Sequence, residues 1–251
     1  MTASDWRKIT KQLKRKQAKE SNKKQGSWTT FEKIWLTTFF LVNIYLFFAW
    51  HDTWIGLTAS LTGMLCVVLT AKGKISSFYW GLINIFAYSY VAYKSAYYGD
   101  VFLNIGYFLP MTFFGIYFWT KNTVDKSIKS DVRVRSLSWG KKIFWFVLSL
   151  VIVYLFGLFL KFLHGTLPFV DSTTTVFSVI ATILLTKRYS DQWFYWIMVD
   201  IWSIVMWAFI FIRDGNQISM LVMWTAFLVN AIYGYYNWIR MERRQRKNGK
   251  N

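Results

Sequence analysis

The stretch Gln192-Trp193-Phe194-Tyr195-Trp196-Ile197-Met198-Val199-Asp200-Ile201-Trp202-Ser203 decides how this chain is read. It is continuously apolar rather than alternating, so it is a helix and not a half-buried strand. It opens a run to residue 212, long enough to cross a hydrocarbon core of ~30 Å. One acid stands inside it. The same pattern occurs earlier in the chain. Phe78-Tyr79-Trp80 precedes Phe194-Tyr195-Trp196 by 116 residues, and Asn84-Ile85 precedes Asp200-Ile201 by the same interval. Leu69-Thr70 and Leu185-Thr186 keep that spacing, as do Gly99-Asp100 and Gly215-Asn216. With three residues inserted, Gly115-Ile116-Tyr117-Phe118-Trp119 falls on Gly234-Tyr235-Tyr236-Asn237-Trp238. An interval held across three apolar segments is the mark of an internal repeat.

Working outward, eight stretches have the length of a span: residues 33–50, 54–71, 78–97, 101–119, 143–163, 170–186, 192–212 and 217–239. The two triplets are separated by a single span, 143–163, and an odd linker gives both the same orientation. The expected fold is therefore an all-α polytopic membrane protein of eight transmembrane helices. It comprises one peripheral helix and a 3+1+3 parallel repeat about an axis along the membrane normal. Residues 1–32 read as a basic cytoplasmic tail and 33–53 as the peripheral first helix. Residues 54–120 form the first repeat, and 121–169 a cytoplasmic loop with the linker helix. Residues 170–239 form the second repeat, and 240–251 a basic cytoplasmic tail.

Composition agrees. Of 251 residues 55% are hydrophobic and 17% charged, against about 25% charged in soluble chains. The net charge of +18 would suit a nucleic-acid binder until its positions are read. Twenty-seven of the thirty Lys and Arg fall in five segments on one side of the alternating helices: the tail to Lys33, residues 72–77, 120–142, 187–191 and 240–251. Only Lys94, Lys161 and Arg213 fall on the other. The charge is a topology signal that places both termini in the cytoplasm, and no nucleic-acid partner is expected. One Cys excludes an internal disulfide scaffold. No metal-ligand cluster, nucleophile–base pair or phosphate loop is legible, so neither a cofactor nor an enzymatic activity is expected.

Seven of the twelve acids lie in cytoplasmic segments and four in outer loops. Asp200 remains, deep in the seventh span, where a charge is costly and marks a functional site by default. Trp193, Trp196, Asp200, Ser203 and Trp207 share one helix face. Two indoles within two turns of a carboxylate suit a flat cationic ring, at roughly 2 kcal/mol per desolvated contact. The expected substrate site pairs these residues with Trp80, Asn84 and Tyr88 of the third span, Asn84 being the repeat mate of Asp200. Trp224, Phe227, Asn230 and Tyr233 of the eighth complete it, with Asn104 and Tyr107 as weaker candidates. Pro110 predicts a kink in the fourth span. Cys66 reads as packing.

The run from Leu65-Cys66-Val67-Val68-Leu69-Thr70-Ala71 to Lys72-Gly73-Lys74-Ile75 resembles the PnuC family of bacterial nicotinamide riboside transporters. So do Trp80-Gly81, Tyr88, Tyr98-Gly99-Asp100, Gly115-Ile116-Tyr117-Phe118-Trp119, Thr186-Lys187-Arg188-Tyr189, Trp193-Phe194-Tyr195-Trp196 and Val199-Asp200. The resemblance covers roughly residues 54–240. It implies a SWEET-like fold in the bacterial cell (inner) membrane and uptake of this NAD precursor by facilitated diffusion. A cytoplasmic riboside kinase would trap the substrate as its phosphate. Within that family Trp193 and Trp196 match the WxxW pair associated with nicotinamide riboside; Asp200 departs from the Asn often found at its position. The expected partners are the substrate, the lipid bilayer and, functionally, that kinase, and a homo-oligomer is compatible with the sequence. From the residues alone, the same fold carrying thiamine, riboflavin or a (deoxy)nucleoside stays open. A membrane sensor or intramembrane enzyme would need a second buried reactive group.

Overall fold

The computed structural model of the chain describes residue 6 and residues 28–49, 53–94, 101, 103–123, 132–162, 167–214 and 218–247. Expectations about the tail before residue 28 (Trp6 apart), Gly99-Asp100, Gly215-Asn216 and the side chain of Trp207 lie outside the described residues. The described chain is almost entirely helical. Its α-helices are α1 Thr30–Ala49, α2 Trp54–Ala71, α3 Ser76–Lys94, α4 Leu109–Lys121, α5 Trp139–Phe162, α6 Pro168–Thr186, α7 Gln192–Asp214 and α8 Ile218–Lys247. Of these, α1, α2, α5 and α6 are long and apolar enough to cross a membrane by length and composition.

Local sequence explains the ends. Thr53 caps α2, its Oγ1 accepting from the Gly56 amide at 3.0 Å. Thr29 and Glu32 form a reciprocal capping box at α1: the Thr29 amide donates to Glu32 Oε2 at 2.8 Å and the Glu32 amide to Thr29 Oγ1 at 3.2 Å. That box starts α1 three residues earlier than its apolar pattern does. Pro110 sits in the first turn of α4, directly after a π-helical turn, Leu103–Phe108. The expected kink thus takes the form of a change from wide to α-helical winding, at the position where a missing amide hydrogen costs least.

Within each triplet neighbouring helices pack together, and across the triplets α2 packs on α8 and α4 on α6. Two sets of contacts there answer each other residue for residue. Trp119 Nε1 donates to the Leu185 carbonyl at 2.9 Å, and Trp238 Nε1 to the Thr70 carbonyl at 2.8 Å. Each indole thus caps a helix end of the opposite triplet. Phe78 lies edge-on to Trp119 at 4.9 Å, and Trp193 edge-on to Trp238 at 6.0 Å. A Cβ on Gly115 would lie 2.3 Å from the Phe78 ring, and one on Gly234 2.4 Å from the Trp193 ring. Only glycine admits these rings. The correspondence pairs Thr70 with Leu185 and Phe78 with Trp193, an interval one residue shorter than the 116 read from the sequence. In this register Asp200 stands opposite Ile85, and Asn84 opposite Val199; Ile85, Val199 and Asp200 are buried and Asn84 half-buried. The pairing of Asp200 with Asn84 is therefore corrected.

Residues 132–137 cross the end of the bundle where these bonds lie. The Val132 amide donates to Gly73, Arg133 to Asn122 and Arg135 to Arg188, at 3.1, 2.9 and 2.9 Å. The Ser190 amide donates back to Arg135 at 2.7 Å, and the Leu137 amide to Asp191 Oδ2 at 2.7 Å. Gln245 holds the segment from α8, accepting from the Val134 amide and donating to the Val132 carbonyl. Val132, Val134 and Leu137 are core residues. α8 runs on to Lys247, with Met241, Glu242 and Gln245 buried, so most of the segment read as a basic tail is packed helix.

Candidate substrate-binding site

The face predicted on α7 turns into the protein. Trp193, Asp200 and Ser203 are buried, Asp200 to 4% exposure, and Trp196 is half-buried. The Asp200 carboxylate makes no hydrogen bond or ion pair with any other residue among those described. A buried, uncompensated carboxylate is a costly thing to keep, and a bound cation is one way to offset it.

The two indoles of the WxxW pair have different surroundings. Trp193 belongs to the cluster of Ala71, Phe78, Trp119, Trp238 and Met241 that joins the triplets. Trp196, one turn closer to Asp200, also touches a second cluster formed by Val176, Phe177, Ile180, Tyr195 and Val199. Trp224 packs on that second cluster and meets Phe227 edge-on at 5.7 Å. Phe227 packs against Phe39, Met64, Val68 and Ala226. Asn230 is buried, and its Oδ1 accepts no bond from any described residue. Trp196 of α7 and Trp224 of α8 thus pack on the same cluster.

On the first triplet Asn84 is half-buried and its Nδ2 donates to the Ala59 carbonyl at 2.7 Å. Trp80 and Tyr88 are each 37% exposed. Ser89, which the sequence did not single out, is buried with an unpartnered Oγ. Asn104 lies buried in the π-helical turn, and Tyr107 donates its hydroxyl to the Val179 carbonyl of α6 at 2.8 Å, joining the triplets there. Tyr233 has another employment: its hydroxyl donates to Glu32 Oε1 at 2.7 Å.

Glu32 is a residue whose burial the sequence reading did not foresee. Counted there among the cytoplasmic acids, it is buried and paired with buried Lys72 at 2.5 Å. Lys72 also lies over the Trp28 ring, 4.8 Å from its centroid. The pair joins the start of α1 to the end of α2. No local signal marks it, because the partners lie 40 and 201 residues away. The segment 132–137 did carry a signal: Val132-Arg133-Val134-Arg135 alternates with the period of an extended chain.

The family model described as nicotinamide mononucleotide transporter matches residues 53–240, that is, α2 to the end of the eighth span. The chain belongs to this family. Among the relatives of this nicotinamide mononucleotide transporter family member is the nicotinamide riboside transporter PnuC of Neisseria mucosa. It is 34% identical over 225 residues, which cover 87% of this chain and 84% of that protein. The protein of the same name from Haemophilus influenzae is 33% identical over 219 residues, covering 87% and 94%. A crystal structure of the vitamin B3 transporter PnuC matches the fold with a TM-score of 0.75 at 33% identity, over 89% of this chain and 98% of that one. The resemblance read from the motif residues is borne out; the family model itself begins at residue 53, after α1. This family member is a multi-pass membrane transporter and not an enzyme.

Proposed function

We propose that the chain imports nicotinamide riboside by facilitated diffusion, and that the buried, unpaired Asp200 is the residue on which selection of this cargo turns. The family model's description speaks of the mononucleotide, the relatives' names of the riboside; the two differ by a phosphate. A phosphate brought to Asp200 would set like charges together in a low-dielectric site, where repulsion is strong. The riboside carries no phosphate, and its pyridinium ring is cationic and flat. Asp200 supplies the counter-charge and Trp196 and Trp224 the ring faces. Asn230, Asn84 and Tyr88 offer hydrogen bonds to the carboxamide and ribose, with Trp80 and Phe227 closing the walls. Trp193 and Tyr233 support the site from the scaffold.

The corresponding contacts of the two triplets support a 3+1+3 parallel repeat, and the one-sided distribution of Lys and Arg supports cytoplasmic termini. Alternating access would then rock one triplet against the other. Opening at the cytoplasmic end parts Trp119 from Leu185 and Trp238 from Thr70. A cytoplasmic riboside kinase gives the net direction by phosphorylating the cargo.

Uptake of labelled nicotinamide riboside into proteoliposomes tests this. Asp200→Ala and Trp196→Ala should abolish most uptake, and Asp200→Asn should weaken apparent affinity by about tenfold or less, since Asn keeps a hydrogen-bonding group and loses the charge. Uptake of the mononucleotide at a comparable rate, or preference for thiamine, another aromatic cation, would overturn the assignment. Unchanged affinity in Asp200→Asn would remove the carboxylate from it.

A further inference from the structure

The turn between α6 and α7 contains an arginine in an unfavourable backbone conformation. Arg188 has φ of +65°, in the left-handed region that costs an ordinary L residue on the order of 1 kcal/mol. The corresponding turn of the first triplet solves the same geometry with Gly73, at φ +66°. The two turns make matching bonds: the Gly73 amide to the Thr70 carbonyl and the Arg188 amide to the Leu185 carbonyl, both at 2.9 Å. Glycine is thus the residue this turn favours, and the second triplet forgoes it for a guanidinium.

Arg188 as a whole is 5% exposed, and its guanidinium lies close to those of Arg135 and Arg133. Its Nη1 reaches only the Arg133 carbonyl, at 3.4 Å, and its Nε makes no hydrogen bond; the buried Nε of Arg133 has none either. Arg135 is held beside it by the backbone bonds of 132–137. Burial, then the charges of Arg135 and Arg133, push the Arg188 guanidinium down to about 10, still cationic at neutral pH. No carboxylate pairs with any of the three among the described residues. The contrast lies on the neighbouring flank. There a cleft of about 250 Å³ between Lys142, Asp191, Tyr235 and Glu242 holds two carboxylates, paired as Lys142–Asp191 and Arg246–Glu242 at 3.0 and 2.8 Å.

We infer that Arg188, Arg133 and Arg135 form a binding site for a phosphoryl group on the face that carries most of the chain's cations. Buried donors without acceptors, on side chains whose planar forks suit phosphate oxygens, fit that chemistry. The phosphoryl group has two sources at this depth, the headgroup of an anionic lipid and a soluble phosphate. Bound there, it ties residues 132–137 to the head of the helix that carries Trp196 and Asp200.

The test uses the full chain in uncharged detergent, its thermal unfolding followed with sodium phosphate against sodium chloride at equal ionic strength. In a second arm it is reconstituted in phosphatidylcholine discs with and without phosphatidylglycerol. Arg188→Gly removes the guanidinium and suits the backbone, so the fold should survive; Arg133→Gln and exposed Arg135→Gln are the further variants, and exposed Lys187→Gln the control. Saturating ligand should raise the unfolding temperature by about 3 °C in wild type and in Lys187→Gln. Binding should weaken about tenfold in each arginine variant. A shift in the first arm assigns a soluble phosphate, and a shift in the lipid arm alone assigns a headgroup. No shift in either arm, or a shift undiminished in Arg188→Gly, overturns the site.

Discussion

The two triplets share a scaffold and differ in chemistry. At the end crossed by 132–137, Phe78, Gly115 and Trp119 are reproduced by Trp193, Gly234 and Trp238, down to the carbonyl each indole reaches. Two turns further into the bilayer the match ends: where the first triplet has Ile85, the second has Asp200. At the turn, Gly73 faces Arg188. Among the described residues, the first triplet alone has a buried ion pair to α1, Lys72–Glu32. The packing at this end of the bundle is thus alike in the two triplets, while Asp200, Arg188 and the Lys72–Glu32 pair each occur in one of them.

The sharpest way to break this comparison is to attack the contact found in one triplet only. Glu32→Gln leaves Lys72 buried without its counter-charge, and removing one partner of a buried pair costs about 3–5 kcal/mol. Thermal unfolding in detergent should show it as the largest loss among these variants. Adding Lys72→Met should restore much of it. A small loss in Glu32→Gln would mean that α1 is held by Phe39 and its apolar neighbours instead.

The glycine pair comes next. Alanine favours a helix over glycine by up to about 1 kcal/mol, but a Cβ at 115 or 234 meets a ring at 2.3 or 2.4 Å. Overpacking of this kind costs about 1–3 kcal/mol. Gly115→Ala and Gly234→Ala should therefore each destabilise, by similar amounts. A large loss in one and a gain in the other would show that the corresponding rings are not held alike.

The helices and the inward face of α7 were legible because apolar length and helical spacing are local properties. The repeat register was not. In helices this rich in aromatics, a slip of one residue still lays ring on ring, so Phe78-Tyr79-Trp80 matches Phe194-Tyr195-Trp196 convincingly. What sets the register is which ring fits against Gly115 and Gly234, a contact between distant segments. The burial of Glu32 was missed for the same reason: beside Lys33 and a basic tail it looks solvated, and only Lys72 and Tyr233 reveal otherwise. Trp193 and Trp196 looked equivalent as a motif, yet Gly234 and Trp238 draw the first into the scaffold.

The smallest expected effect probes the symmetry most directly. Trp119→Phe and Trp238→Phe each delete one indole N–H while keeping a ring. The carbonyls they reach are not orphaned, since Leu185 still accepts from the Arg188 amide and Thr70 from the Gly73 amide, both at 2.9 Å. The loss is then nearer a single net hydrogen bond than a full desolvation penalty, about 1 kcal/mol for each variant. Equal shifts in unfolding temperature are expected. The two rings lie 5.7 Å apart, so the double variant should depart from additivity by about 0.5 kcal/mol or more. Were Trp238→Phe to cost several times what Trp119→Phe does, the first triplet's carbonyl would be the one carrying the closure, and the two indoles would share a geometry without sharing a role.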